Sequence, residues 1–351
     1  MFNFVAPINE TSYGLVATNI ITELVKKKEK FGLFPINPEN MTAASQLVNY
    51  IQEKFRDNNF YPLSPSVRLY HQFDMAMMPG KGTKIGFPIF ELDTFNEVEK
   101  LHLSWLDKIF VCSKWAEEII RNNNICVPTH VVPLGVDTSV FYPKSTKQKD
   151  TTVFVNCGKF EIRKGHDILL ELFESAFTPK DNVELILLFD NIFYTEQEMQ
   201  ECRSYYLDSA MGQAGKIKIL PRFKTQTELA GIFNTADCAI FPSRAEGWNL
   251  EALEAMACGL EVIITNYSAH TEFCNLKNSR LVDILEVERA FDGKWFFGQG
   301  NWAKIDQNQK DQFVEHMRAV HKNHTQNVEG INTAKKFSWS NTTDCFLQGL
   351  K

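Results

Sequence analysis

Short apolar runs alternate with longer amphipathic stretches along most of the chain. In the first part, residues 2–6, 67–70, 84–87 and 109–112 have the length and apolar continuity of buried strands. Residues 16–30, 42–55, 96–106 and 114–122 carry the 3.6-residue apolar period of helices. The second part repeats the alternation, with strands expected at 152–157, 183–189, 216–220, 238–241, 261–265 and 281–284. Helices fit 166–177, 196–208, 227–235 and 249–258, and the last residues read as helical at 307–321 and 327–336. Strands and helices in strict alternation at this spacing predict parallel α/β sheets.

A lysine-rich stretch at 141–152 separates a closing strand at 130–134 from a fresh one at 152. The expected organisation is therefore a first domain over 1–145, a second over 151–336, and a final helix over 337–351 packing back on the first domain. No internal repeat and no low-complexity segment interrupts this plan. The fold class predicted is α/β, with two Rossmann-like doubly wound domains facing across a cleft. Ligands of such sheets sit beyond the carboxyl ends of the strands.

A length of 351 residues supports two domains rather than one. The net charge of −6 leaves no room for a basic half: residues 1–145 hold 14 Lys+Arg and 15 Asp+Glu, net −1, and the remainder is net −5. No nucleic-acid partner is expected. The basic run Lys26, Lys27, Lys28 and Lys30 suits the C-terminal end of a helix. The eight cysteines are scattered without metal-ligand spacing and read as reduced, the pattern of a cytoplasmic protein. No apolar stretch is long enough to span a bilayer, and the apolar start is short for a signal peptide.

Two loops carry candidate chemistry. The strand at 152–157 runs into Gly158 and then into Arg163-Lys164-Gly165 ahead of a helix, which puts two cations at a helix N-terminus, where anions bind. Surface cations in a turn give the same pattern. The second loop, after the strand at 238–241, carries Glu246, Gly247, Trp248, Asn249 and Leu250 at the mouth of a helix, and Glu254 lies further along it. A carboxylate accepts two hydroxyl donors, as a sugar or ribose diol offers. Helix-dipole complementation and a solvated face account for a bare pair of glutamates equally well.

Glu246 and Glu254, with seven residues between them, match the E-x7-E signature of retaining GT-B glycosyltransferases, and the whole segment resembles glycosyltransferase family 4. Three further segments are similar to that family in order and spacing. They are Val132-Pro133-Leu134-Gly135-Val136-Asp137 with Phe141-Tyr142-Pro143, the Gly158…Gly165 loop, and Asn9-Glu10-Thr11-Ser12-Tyr13-Gly14. The resemblance implies a sugar transferred from a nucleotide-diphosphate donor with retention, without cofactor or metal; no D-x-D metal motif occurs in the chain. By the same resemblance, Arg163 and Lys164 hold the diphosphate and Glu254 takes the ribose hydroxyls. Glu246 bonds the transferred sugar, supported by the amides near Gly247, Trp248, Asn249 and Leu250. Gly14 faces the phosphates, His71 stands beside the donor sugar, and Glu91 lines the acceptor side. The acceptor is a saccharide, a lipid-linked glycan or a protein.

The chain departs from the family pattern at Glu261, where proline is usual, at Trp248-Asn249-Leu250-Glu251 in place of Phe-Gly-Leu-Pro, and at Ser12, which replaces a glycine. Two other readings use the same residues: a nucleotide-sugar epimerase or hydrolase of this fold, and a catalytically silent nucleotide-sugar-binding protein.

Overall fold

The computed structural model describes residues 1–9, 11–36, 59–144, 150–223 and 225–351. The helix expected over 42–55 and Glu10 of the first loop lie outside the described residues. The chain forms two compact units, Met1–Gly135 with Phe337–Lys351, and Val136–Lys336.

The first unit holds a parallel sheet of β1 (Phe2–Pro7), β2 (Phe31–Ile36), β3 (Ser66–Tyr70), β4 (Lys84–Pro88), β5 (Lys108–Val111) and β6 (Thr129–Val131), in the order β2-β1-β3-β4-β5-β6. Each run is apolar because the sheet is buried: Phe4 faces Leu33 on one side and Val67 on the other. The winding reverses between β1 and β3, which opens a crevice beyond their carboxyl ends. Helix Ser12–Lys26 follows β1, and Gly14 is buried in its first turn. A Cβ there would stand 2.1 Å from the carbonyl oxygen of Asn9, so the turn closes only over glycine.

Helix Trp339–Gly349 belongs to this first unit. Its Phe346 ring lies 5.6 Å from Phe2, 5.5 Å from Phe4 and 5.5 Å from Phe110, in tilted or edge-on arrangements. Lys108 Nζ donates to the Gly349 carbonyl at 2.7 Å, and Lys27 pairs with Asp344 at 2.9 Å.

The second unit repeats the plan with β7 (Thr152–Cys157), β8 (Val183–Leu188), β9 (Ile217–Ile219), β10 (Cys238–Phe241), β11 (Glu261–Asn266) and β12 (Arg280–Asp283), in the order β12-β11-β10-β7-β8-β9. All pairings are parallel, and Phe154, Leu169, Phe173, Leu185 and Leu187 fill the core with almost no exposure. Here the winding reverses between β7 and β10. The carboxyl ends of those two strands are therefore where a doubly wound sheet places its ligand.

Four features differ from the sequence expectations. The divide between the units falls at Gly135–Val136 rather than within 145–151. Phe141 is buried 6.3 Å from the Phe233 ring, and Asn234 bonds the backbone of both Tyr142 and Lys144, which fastens residues 136–144 to the second unit. The first helix spans Ser12–Lys26 instead of 16–30, because Lys28 adopts a left-handed conformation (φ 59°) that ends it ahead of β2. Strand β2 was not foreseen. Nor was the antiparallel hairpin of β13 (Val287–Phe291) and β14 (Phe297–Ala303), which joins the Arg244 loop through Ala303 N–H and the Arg244 carbonyl at 2.9 Å.

Candidate active site

The loop after β7 reaches Gly165 at φ 79°, the N-cap of helix His166–Ala176. A Cβ at Gly165 would lie 2.2 Å from the Pro242 carbonyl oxygen, so glycine brings this loop hard against the one that follows β10. That contact delivers the cations to Glu246. Arg163 Nη1 donates to Glu246 Oε2 at 2.8 Å and to the Ala245 carbonyl at 2.6 Å, and Lys164 Nζ donates to Glu246 Oε1 at 2.8 Å. On its other edge Arg163 binds Glu161 Oε2 through Nε and Nη2 at 3.1 and 2.7 Å, and Lys159 completes the cluster at 3.0 Å from Glu161.

Arg163, Lys164, Glu161 and Glu246 are all buried. Burial pushes the Glu246 carboxyl up, but Arg163 and Lys164 outweigh it and hold the group well below the usual carboxylate range. Burial also works against the Lys164 charge, and Glu246 with Glu251 reverses this, leaving its pKa raised. Both groups are ionised at neutral pH. Lys164 uses one of its three protons on Glu246.

Gly247 and Trp248 continue the loop, the Trp248 ring packed 5.1 Å from Phe273. Asn249 stands at φ 81° and caps helix Leu250–Ala257, its Oδ1 accepting from Ala252 N–H at 3.1 Å. Leu250 is the first helical residue. Glu254, one turn further, is 5% exposed, and burial with the neighbouring Glu251 lifts its carboxyl well above the ordinary range. The half-buried Cys157, at the end of β7, lies within electrostatic reach of Glu251, Glu254 and Lys164.

In the first unit, Tyr13 ties two of the expected residues to one place. Its hydroxyl donates to the Ile89 carbonyl at 2.5 Å and lies 3.4 Å from His71 Nδ1. Burial, then the charge of Glu91, raises the Tyr13 pKa well above its ordinary value. The His71 ring also stacks on Phe73 at 5.0 Å. Gly14, next to Tyr13, serves the close approach of Asn9 described above. This group sits at the carboxyl ends of β1 and β3, the reversal point of the first sheet.

Sequence reasoning missed the residues that fix the Glu246 loop. Ser243 Oγ donates to Glu246 Oε1 at 3.1 Å, and Ser268 Oγ accepts the Glu246 N–H at 2.9 Å. His270 meets Asn249 at 3.0 Å and Thr265 donates to the Ser243 carbonyl at 2.6 Å. Of these partners, Asn249 alone stood among the expected site residues. Residues 266–272 show no periodicity that marks them. Among the described residues, no three His, Cys, Asp or Glu side chains converge as a metal site, and no helix is long and apolar enough to cross a membrane.

A family profile described as "Glycosyl transferases group 1" matches residues 138–283. The chain is 28% identical over 145 residues to a D-inositol 3-phosphate glycosyltransferase of an Arthrobacter species, covering 38% of this chain and 33% of that protein. It spans between a third and a half of the length of the curated relatives first matched. Among solved structures, sucrose-phosphate synthase from Thermosynechococcus elongatus superposes with a TM-score of 0.68 at 14% identity, over 99% of this chain and 97% of that one. Anabaena HepE in complex with UDP-glucose superposes with a TM-score of 0.66 at 13% identity, over 99% and 98%. The fold is GT-B. The GT-B fold implied by the family resemblance is thus found along the whole chain, while the sequence likeness to the family profile is confined to the second unit.

Proposed function

We propose that this protein is a glycosyltransferase that moves a sugar from a nucleoside-diphosphate sugar to an acceptor hydroxyl with retention of anomeric configuration, using its own cations and amides rather than a metal. The observation that carries the reading is the convergence of Arg163, Lys164 and Glu246 at the carboxyl ends of β7 and β10, where the sheet order reverses. The relatives and the likeness to a UDP-glucose-bound structure support it.

In the reaction, the bond between the anomeric carbon and the diphosphate oxygen breaks, its electron pair leaving with the diphosphate. Lys164 and Arg163 stabilise that growing negative charge. The acceptor oxygen bonds the anomeric carbon on the face the diphosphate leaves, and its proton passes to a diphosphate oxygen. Glu254 takes the ribose hydroxyls, its carboxyl oxygens accepting from them. Glu246, fixed by two cations and two serines, presents its remaining acceptor capacity to the sugar, with the amides at Gly247, Trp248, Asn249 and Leu250 beside it. In the first unit, His71 serves the donor sugar, Gly14 the phosphate side and Glu91 the acceptor side.

The test is a panel of UDP-, GDP- and ADP-sugars, first by thermal shift and then by nucleoside-diphosphate release with and without saccharide, lipid-linked and protein acceptors. Acceptor-dependent release giving a product of unchanged anomeric configuration by NMR is expected. Release independent of acceptor would reassign the protein as a hydrolase or epimerase. Absence of any nucleotide-dependent shift would remove the reading.

A further inference from the structure

We infer that His270 is a positioning residue for the donor site, a neutral imidazole that holds Asn249 and through it the loop of Glu246. The inference rests on the transferase reading and adds a residue to the same site.

The hydrogen bonds admit one assignment. The Thr265 carbonyl, 3.0 Å from His270 Nδ1, can only accept, so Nδ1 carries the proton. Nε2 then has a bare lone pair and accepts from Asn249 Nδ2 at 3.0 Å, which turns Asn249 Oδ1 toward the Ala252 amide that it caps. His270 and Thr265 have no exposure, and Asn249 has 5%. Burial drives the imidazole pKa down to about 4, so the lone pair is kept at physiological pH.

The relay matters because of what it spans. Thr265 Oγ1 holds the Ser243 carbonyl at 2.6 Å, Ser268 Oγ holds the Glu246 amide at 2.9 Å, Ala269 N–H reaches the Glu246 carbonyl at 3.3 Å, and His270 holds Asn249. The loop is thus fastened at its start, its middle and its end to residues 265–270. Asn249 at φ 81° and Ser268 at φ 53° are left-handed without being glycine, a conformation asparagine adopts readily and serine rarely. Without His270, Asn249 loses the partner that keeps its side chain turned inward. The carboxylate facing the sugar and the first turn of the Glu254 helix then lose their common anchor.

The test compares His270→Ala, His270→Gln and His270→Asn, and adds Asn249→Gly to the alanine variant. Readouts are kcat and KM for the sugar nucleotide the wild type turns over, the Kd of UDP, GDP or ADP by calorimetry, and Tm. Because misplacement of a reacting group by about 1 Å costs up to about a hundredfold, His270→Ala should lower kcat/KM by about tenfold or more. Glutamine reaches the Nε2 position and should restore kcat/KM to within about threefold, whereas asparagine reaches only the Thr265 side and should not. Glycine at 249 takes the left-handed conformation unaided and should recover part of the loss in the alanine background. Should the alanine variant not fold, the glutamine–asparagine difference decides. Equal behaviour of those two variants, or wild-type kcat/KM in His270→Ala, overturns the role of His270 alone. A wild type that binds none of the three nucleotides overturns the transferase reading and this inference together.

Discussion

Lys164 Nζ lies 2.8 Å from Glu246 Oε1, and the two residues stand 82 positions apart in the chain. They meet because each lies in the loop that follows a strand at the point where the second sheet reverses its winding, β7 for the lysine and β10 for the glutamate. Neither charge would survive burial by itself. With Arg163 they form a cluster in which the carboxylate stays ionised and the ammonium keeps its charge, one of its three protons on Glu246.

Replacing Lys164 by alanine removes the cation with unused donors while leaving Glu246 paired to Arg163. Turnover should fall on the order of a hundredfold, by analogy with loss of one charge-stabilising donor, with circular dichroism unchanged. Wild-type initial rates would exclude Lys164 from the chemistry.

Glu246 governs stability as well. Glu246→Ala leaves two buried cations short of a partner and should cost about 3–5 kcal/mol in chemical denaturation. Its folded-state pKa lies below the unfolded value near 4.5, so the stability it confers is complete above that pH and is lost as the pH falls below it. Glu246→Gln should flatten this acid limb, and denaturation midpoints between pH 3 and pH 7 check it.

Glu254 has the opposite sign. Its folded-state carboxyl binds a proton more tightly than the unfolded one, so wild-type stability declines as the pH rises above about 4.5, toward the folded-state pKa. Glu254→Gln should therefore match the wild type at pH 4 and gain thermal stability over it at pH 8. It should also weaken nucleoside-diphosphate binding by about tenfold to a hundredfold, the worth of hydrogen bonds to a charged group. Unchanged affinity by calorimetry would make Glu254 a structural residue only.

Cations supplied by side chains should make turnover insensitive to chelation. Initial rates in excess EDTA should equal those in magnesium. A loss that added magnesium restores would show that a metal shares the diphosphate with Lys164.

The alternation of apolar runs made the strands at 152–157 and 238–241 and the helix at 114–122 legible to the residue, because each is either buried on both faces or amphipathic with a capped start. Ser113 illustrates the latter, its hydroxyl accepting from Ala116 N–H at 3.1 Å. β2 was hidden by Gly32 and Pro35, which weaken a strand pattern, and the hairpin by Gly298, Gly300 and the exposed rings of Phe291 and Phe297. Glu246, Arg163 and Lys164 could be named from motif spacing. That the three are bonded to one another could not, since the contact depends on which strands the sheet places side by side. His270 escaped because its meaning lies entirely in partners from two other segments.

Phe346 completes an aromatic nest whose other members, Phe2, Phe4 and Phe110, come from the opposite end of the chain. The first unit is consequently discontinuous, its two pieces separated in sequence by the whole of the second. During synthesis the strands of residues 1–135 emerge early but lack this lid, while the second unit has every strand of its sheet within one continuous stretch. The later-made unit can thus finish first, and the earlier one must wait, with apolar rings uncovered, for the final helix to arrive.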